Sequence, residues 1–129
     1  QPIDAVAGEA RIVFVDFHAE ATSEKVAMGL QLDGRVAAVV GTHTHVQTAD
    51  EEIFEGGTAF LSDAGMCGPA DSILGRKTSA VLEKFENGLP ARFPVAKGNV
   101  RLCGCVVEVD IATGRARSIE RVNEIVEAP

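Results

Sequence analysis

Short apolar runs bounded by polar residues recur along the chain, and their spacing predicts alternating strands and helices. Residues 11–16 (RIVFVD) form one such run, which predicts a buried strand. Over residues 22–33 the period changes: Val26, Ala27 and Leu30 share a helical face, and Gly34 stands where a helix ends. Residues 36–40 (VAAVV) are again short, apolar and β-branched, as a second strand would be. Strand, helix and strand within roughly 30 residues make a βαβ unit, whose two strands run parallel.

The pattern then turns to shorter elements. Gly56 and Gly57 are a hairpin-type turn signal between strands at 53–54 and 58–61. Residues 66–75 (MCGPADSILG) read as a loop. A helix is predicted over 78–86, with Val81, Leu82 and Phe85 at helical spacing and Asn87 and Gly88 ending it. Strands at 100–110 and 115–122 flank a turn at 111–114 and should pair antiparallel. Residues 1–9 show no clear period, and no internal repeat appears. The expected architecture is one α/β domain over 1–129, a βαβ unit followed by a mostly antiparallel β segment.

Composition bounds the function. With 46% hydrophobic and 24% charged residues in 129, the chain can bury a core. A formal net charge of -7 argues against a nucleic-acid backbone or an anionic membrane as main partner, since both reward a basic face. A small phosphorylated substrate stays compatible, because one local cation overrides a negative average. No run of about 18 apolar residues is present, so no transmembrane helix is expected. No leader peptide is visible either. Cys67, Cys103 and Cys105 are odd in number and lack CxxC spacing, which points to free thiols in a reducing cytoplasm. The chain begins at Gln1 rather than Met, which points to a fragment or a processed product.

Candidate chemistry concentrates in the three histidines. His18 lies two residues beyond Asp16, and His43 and His45 lie just beyond the second strand. Parallel strands of a βαβ unit end at one sheet edge, where open α/β sheets bind ligands. If the chain stays extended past Val40, His43 and His45 point the same way, and all three imidazoles can converge. Convergent neutral imidazoles bind a divalent transition metal; structural histidines held by local bonds are the alternative. Asp16 is a candidate orienting partner for an imidazole or a plain strand-end residue. Glu20 is a candidate ligand or base, or a helix-start carboxylate. Asp50 adds a further nearby carboxylate. Thr42 and Thr44 read as backbone-bonding loop residues, Asp63 as a turn residue that can approach the same edge. Ser72 has no paired base in sequence, and no glycine-rich phosphate loop is present.

Taken together, VDFHAEATSEK (15–25), LDGRVAAVVGTHTHVQTADE (32–51), GGTAFLSDAGMCGP (56–69), DSILG (71–75), GLPARFPVAKG (88–98) and SIERV (118–122) resemble, in order, the YmdB-type metallophosphoesterases. These are 2′,3′-cyclic-nucleotide 2′-phosphodiesterases of the calcineurin-like superfamily. Where that family has Thr-Asp-Val-Gly-Met-Thr-Gly-Pro, this chain has Ser62, Asp63, Ala64, Gly65, Met66, Cys67, Gly68 and Pro69. The resemblance implies part of a calcineurin-like sandwich and a phosphodiesterase with two divalent ions, iron or manganese. It implies that His18 and His43 ligate one ion and His45 the other. It also implies that the bridging carboxylate and the proton donor lie in an amino-terminal half this chain lacks. On that basis the chain matches the carboxyl-terminal half and is expected to be inactive alone, cytoplasmic, off the membrane and prone to self-association. Two other readings stay open: a metal-free binding or assembly module, and a mononuclear three-histidine hydrolase.

Overall fold

The computed structural model describes residues 2–6 and 8–127. The βαβ unit is present. β1 (Phe14–His18), α2 (Thr22–Gln31) and β2 (Ala38–Thr42) follow one another, and β1 pairs parallel with β2, Asp16 opposite Val40 and His18 opposite Thr42. The first strand lies three residues later than the apolar run suggested and carries through to His18. Residues 1–9, which gave no period, contain the short helix α1 (Pro2–Val6).

β2 also pairs parallel with β4 (Ala59–Leu61), and β4 pairs antiparallel with β3 (Glu52–Ile53), so the sheet order is β1-β2-β4-β3. The order explains the sequence pattern. β2 and β4 are interior strands and are buried almost throughout, which is why they read as continuous apolar runs. β1 is an edge strand and alternates exposed with half-buried. Leu32, Val36, Val39 and Phe60 form the core, with Val15, Phe17 and Val26 against it. Each such side chain contributes about 1.5–3 kcal/mol when fully buried.

Of the expected face of α2 only Val26 packs against the core. Lys25, Gly29 and Leu32 are buried, whereas Leu30 is 58% exposed. Gly29 decides the face, because a Cβ there would stand 2.6 Å from the Phe60 ring. Only the smallest residue lets the helix come that close to the sheet.

Backbone contacts divide the chain into two compact units, 1–65 with 104–122, and 66–103 with 123–129. A second sheet has the order β5 (Gly68–Pro69), β6 (Val100–Val109), β7 (Ala116–Val126). Within the first unit, the turn from β6 to β7 is closed by the Asp110 N–H donating to Arg115 O at 2.8 Å. A connection that short joins neighbouring strands only as an antiparallel hairpin. Within the second unit, β5 interrupts the expected loop and pairs antiparallel with the start of β6. The same unit holds α3 (Thr78–Asn87), stopped by Gly88 at φ 69°. Among the described residues, no helix is long and apolar enough to cross a membrane.

Candidate metal centre

The carboxyl ends of β1 and β2 meet at the sheet edge, as the βαβ reading requires. His18 is the last residue of β1 and Thr42 the last of β2, directly opposite it. The Thr42 hydroxyl donates to Asp16 Oδ1 at 3.0 Å and lies 3.0 Å from His18 Nδ1. A carboxylate offers only acceptors, so the hydroxyl proton is spent on Asp16 and the oxygen accepts from the Nδ1–H of His18. The tautomer follows: His18 Nε2 carries a lone pair. His43 Nδ1 stands 3.1 Å from that Nε2, with the two rings edge to face at 4.9 Å between centroids.

Past Thr42 the backbone does not stay extended, contrary to the expectation from period alone. His43 has φ 127° and His45 φ 65°. Left-handed φ in a non-glycine residue costs about 1–3 kcal/mol and persists only where the surroundings force it. The turn brings His43 to His18, and no contact of the His45 ring with either of them accompanies it among the described residues. The anticipated three-imidazole cluster is therefore a pair. Among the described residues, no group of three or more His, Cys, Asp and Glu side chains is placed to hold a metal ion.

The turn is held from below. Asp63, buried two residues beyond β4, accepts the Thr44 N–H on Oδ2 at 2.9 Å. The same oxygen takes the Lys25 ammonium at 2.9 Å, both side chains being 1% exposed. Burial pushes the Asp63 carboxyl up, but the bonds from Lys25, Thr44 and Gly65 outweigh it and leave it below the usual 3.8. Beyond the turn, Gln47 Nε2 donates to Gly104 O and Val122 O at 3.0 and 2.9 Å. These bonds tie the histidine segment to the long hairpin.

The other candidates are placed elsewhere. Asp50 is committed to Ser62, whose hydroxyl and backbone N–H both donate to it. Burial raises its carboxyl, and the bonds from Ser62 and Thr48 more than offset that. Glu20 sits exposed between β1 and α2. Ser72 closes a turn, donating to Pro69 O at 2.6 Å and accepting the Gly75 N–H at 2.9 Å, so it is no nucleophile. The three cysteines are free thiols. Two participants escaped the sequence reading. Thr42, taken for a backbone-bonding residue, is the bridge between Asp16 and His18. Lys25, a lysine on a helix, is buried; its signal was Gly29 one turn on, which marks the face that meets the sheet.

The profile of the YmdB-like proteins matches residues 1–122. The chain belongs to that family. It is 54% identical over 110 residues to the 2′,3′-cyclic-nucleotide 2′-phosphodiesterase of Bacillus subtilis, a match over 85% of this chain and 42% of that protein. A hypothetical protein from Thermus thermophilus superposes with a TM-score of 0.82 at 37% identity, over all of this chain and 52% of its own. A phosphatase from Mycoplasma pneumoniae gives the same score at 34% identity, over all of this chain and 48% of its own. The mixed α/β architecture is thus the calcineurin-like one. The chain spans about two fifths of the length of the curated relatives it matches.

Proposed function

We propose that this chain carries the histidine side of a metal-dependent phosphodiesterase centre acting on small phosphodiesters of the 2′,3′-cyclic nucleotide type. The observation that carries the reading is the 3.1 Å separation of His18 Nε2 and His43 Nδ1. Imidazole–metal bonds of about 2.0–2.1 Å place two adjacent ligand nitrogens roughly 3.0–3.4 Å apart. The pair fits one divalent ion, iron or manganese in the proposal, held by His18 and His43. His45, exposed on the same turn, would serve a second ion. Bound ions supply charge stabilisation at the phosphoryl oxygens and a hydroxide at neutral pH.

The residues of this chain prepare that chemistry. Asp16 and Thr42 hold His18 in the tautomer whose Nε2 is a donor to metal. The strained turn aims His43 at it. Two cations close together also need a bridging carboxylate; Asp16, Asp50 and Asp63 are bonded to Thr42, Ser62 and Lys25, and Glu20, though exposed, forms no metal-holding group with the histidines among the described residues. The centre is therefore completed by chain beyond these residues, with its proton donor, and this chain alone is inactive. The outer edge of β1, where Phe14 is 56% exposed, is where such a segment or a second copy would add.

A second reading rests on the same contact. A His43 Nδ1–H donating to His18 Nε2 satisfies both rings without any cation, which would make the pair structural. Elemental analysis after loading with Mn(II), with 2′,3′-cyclic AMP hydrolysis in parallel, separates the two. The proposal expects one weakly held ion, lost in His43→Ala, and no turnover. Two tight ions with turnover would refute the incomplete centre; no ion at any loading would favour the structural pair.

A further inference from the structure

Lys25 and Asp63 form an ion pair from which water is almost wholly excluded. So deeply buried a pair adds little to stability compared with packed apolar side chains of the same volume. Its charges call for another explanation, and the bonds of Asp63 supply one. Besides Lys25, Oδ2 accepts the Thr44 N–H, and Oδ1 accepts the Gly65 N–H at 2.9 Å. The Asp63 main chain takes both ends of Thr48: its N–H donates to Thr48 Oγ1 at 2.9 Å, and its carbonyl accepts the Thr48 N–H at 3.1 Å. The segment from Thr44 to Thr48 is thus pinned at both ends to one residue.

Thr44 stands between the two residues with left-handed backbone, His43 and His45. A backbone N–H bonded to a buried, charged oxygen is a strong constraint, and it acts at the point where the strain must be held. Lys25 supplies the positive charge that keeps this carboxylate paired away from water. It reaches Asp63 across Gly41, where any Cβ would stand 2.8 Å from Lys25 Cδ. A helix side chain thereby fixes, through Asp63, the loop that follows β2.

We propose that Lys25 and Asp63 are positioning residues for the metal centre. They touch neither ion nor substrate, and through the Thr44 N–H they hold the turn that sets His43 against His18. The inference rests on the reading of that pair as the holder of an ion.

The test is a double variant, Lys25→Met with Asp63→Leu, compared with wild type on the full chain. Three quantities are read: thermal midpoint, Mn(II) affinity by chelator competition, and ring-nitrogen NMR signals of His18 and His43 without metal. The expected result is a folded protein with a midpoint at or above that of wild type. Its Mn(II) affinity is at least tenfold weaker, as for lost outer partners of metal ligands, and its ring signals no longer report a bonded pair. A folded double variant with affinity within twofold of wild type and unchanged ring signals overturns the proposal. Should the variant fail to fold, amide exchange in wild type decides: the Thr44 N–H must be protected like the amides of β2, and exchange at the rate of an open loop overturns the clamp. If wild type binds no Mn(II), the metal reading fails by itself. The clamp is then judged on the ring signals and the Thr44 amide, which need no ion.

Discussion

Thr42→Val isolates the bridge between Asp16 and His18. Valine keeps the β-branched shape suited to the end of β2 and removes only the hydroxyl, with its two 3.0 Å bonds to Asp16 and His18. Each bond is worth about 0.5–1.5 kcal/mol net in stability. Asp16 and His18 are both exposed, so water replaces most of what is lost, and about 1 kcal/mol is expected. That lowers the thermal midpoint by roughly 3–5 °C in a chain of this size. The effect on metal should be larger. Without the hydroxyl, nothing compels His18 to carry its proton on Nδ1, and the ring is free to turn. Losing an outer partner of a metal-bound histidine typically costs 10–100-fold in affinity, about 1.4–2.7 kcal/mol. Chelator competition with Mn(II) should therefore show at least a tenfold loss in Thr42→Val and little change in Thr42→Ser, which keeps the hydroxyl. Ring-nitrogen NMR should show the Nδ1–H tautomer of His18 giving way to a mixture. Mn(II) affinity within twofold of wild type, with the tautomer intact, would mean that Thr42 does not orient the ligand.

Three further outcomes follow from the same geometry. Gly41→Ala places a Cβ 1.8 Å from Ser62 O; the backbone must yield, at about 1–3 kcal/mol or more, and a midpoint equal to wild type would contradict the close approach. His43→Gly relieves a φ of 127°, so the fold should gain up to about 1–2 kcal/mol after the entropic cost of glycine, while Mn(II) binding is lost; a destabilised variant would show that the turn is not strained. Asp63 and Asp50 titrate below the usual 3.8 when folded, so their contribution is complete above about pH 4 and disappears as pH falls through their lower folded values. Asp63→Asn should be less stable than wild type at pH 7 and lose less between pH 5 and 3, a reading that parallel denaturation curves would rule out.

Much of the fold was legible because its elements obey simple periods. The interior strands β2 and β4 are buried almost throughout, α3 is stopped by Gly88, and Gly34 turns the chain three residues after α2, both glycines with positive φ. What the period could not say was which face of α2 would be buried. Of the more hydrophobic stripe, Val26, Ala27 and Leu30, only Val26 meets the core, while the residues the helix buries fully are Lys25 and Gly29. Close approach to Phe60 outweighed side-chain hydrophobicity there, and a lysine went in because a carboxylate was waiting. Similarly, β1 was sought in the apolar run, whereas an edge strand needs only one covered face and continues to the polar His18.

The site was legible in its position and not in its detail, for one physical reason. Strand ends are set by local sequence, but the partner of each polar group is set by register. His18 meets Thr42 because β1 and β2 pair with Phe14 opposite Ala38; a slip of one residue would put His43 or Gly41 there and leave Asp16 without its donor. Register in turn depends on the core, where Val15 and Phe17 point inward between Asp16 and His18 pointing out. The same alternation that buries the sheet thus places carboxylate, hydroxyl and imidazole on its open face. Beyond Thr42 that alternation stops, and the place of His43 and His45 passes to Asp63, eighteen residues after His45. No pattern local to the two histidines carries that information, which is why spacing alone predicted three converging rings and the structure brings together two.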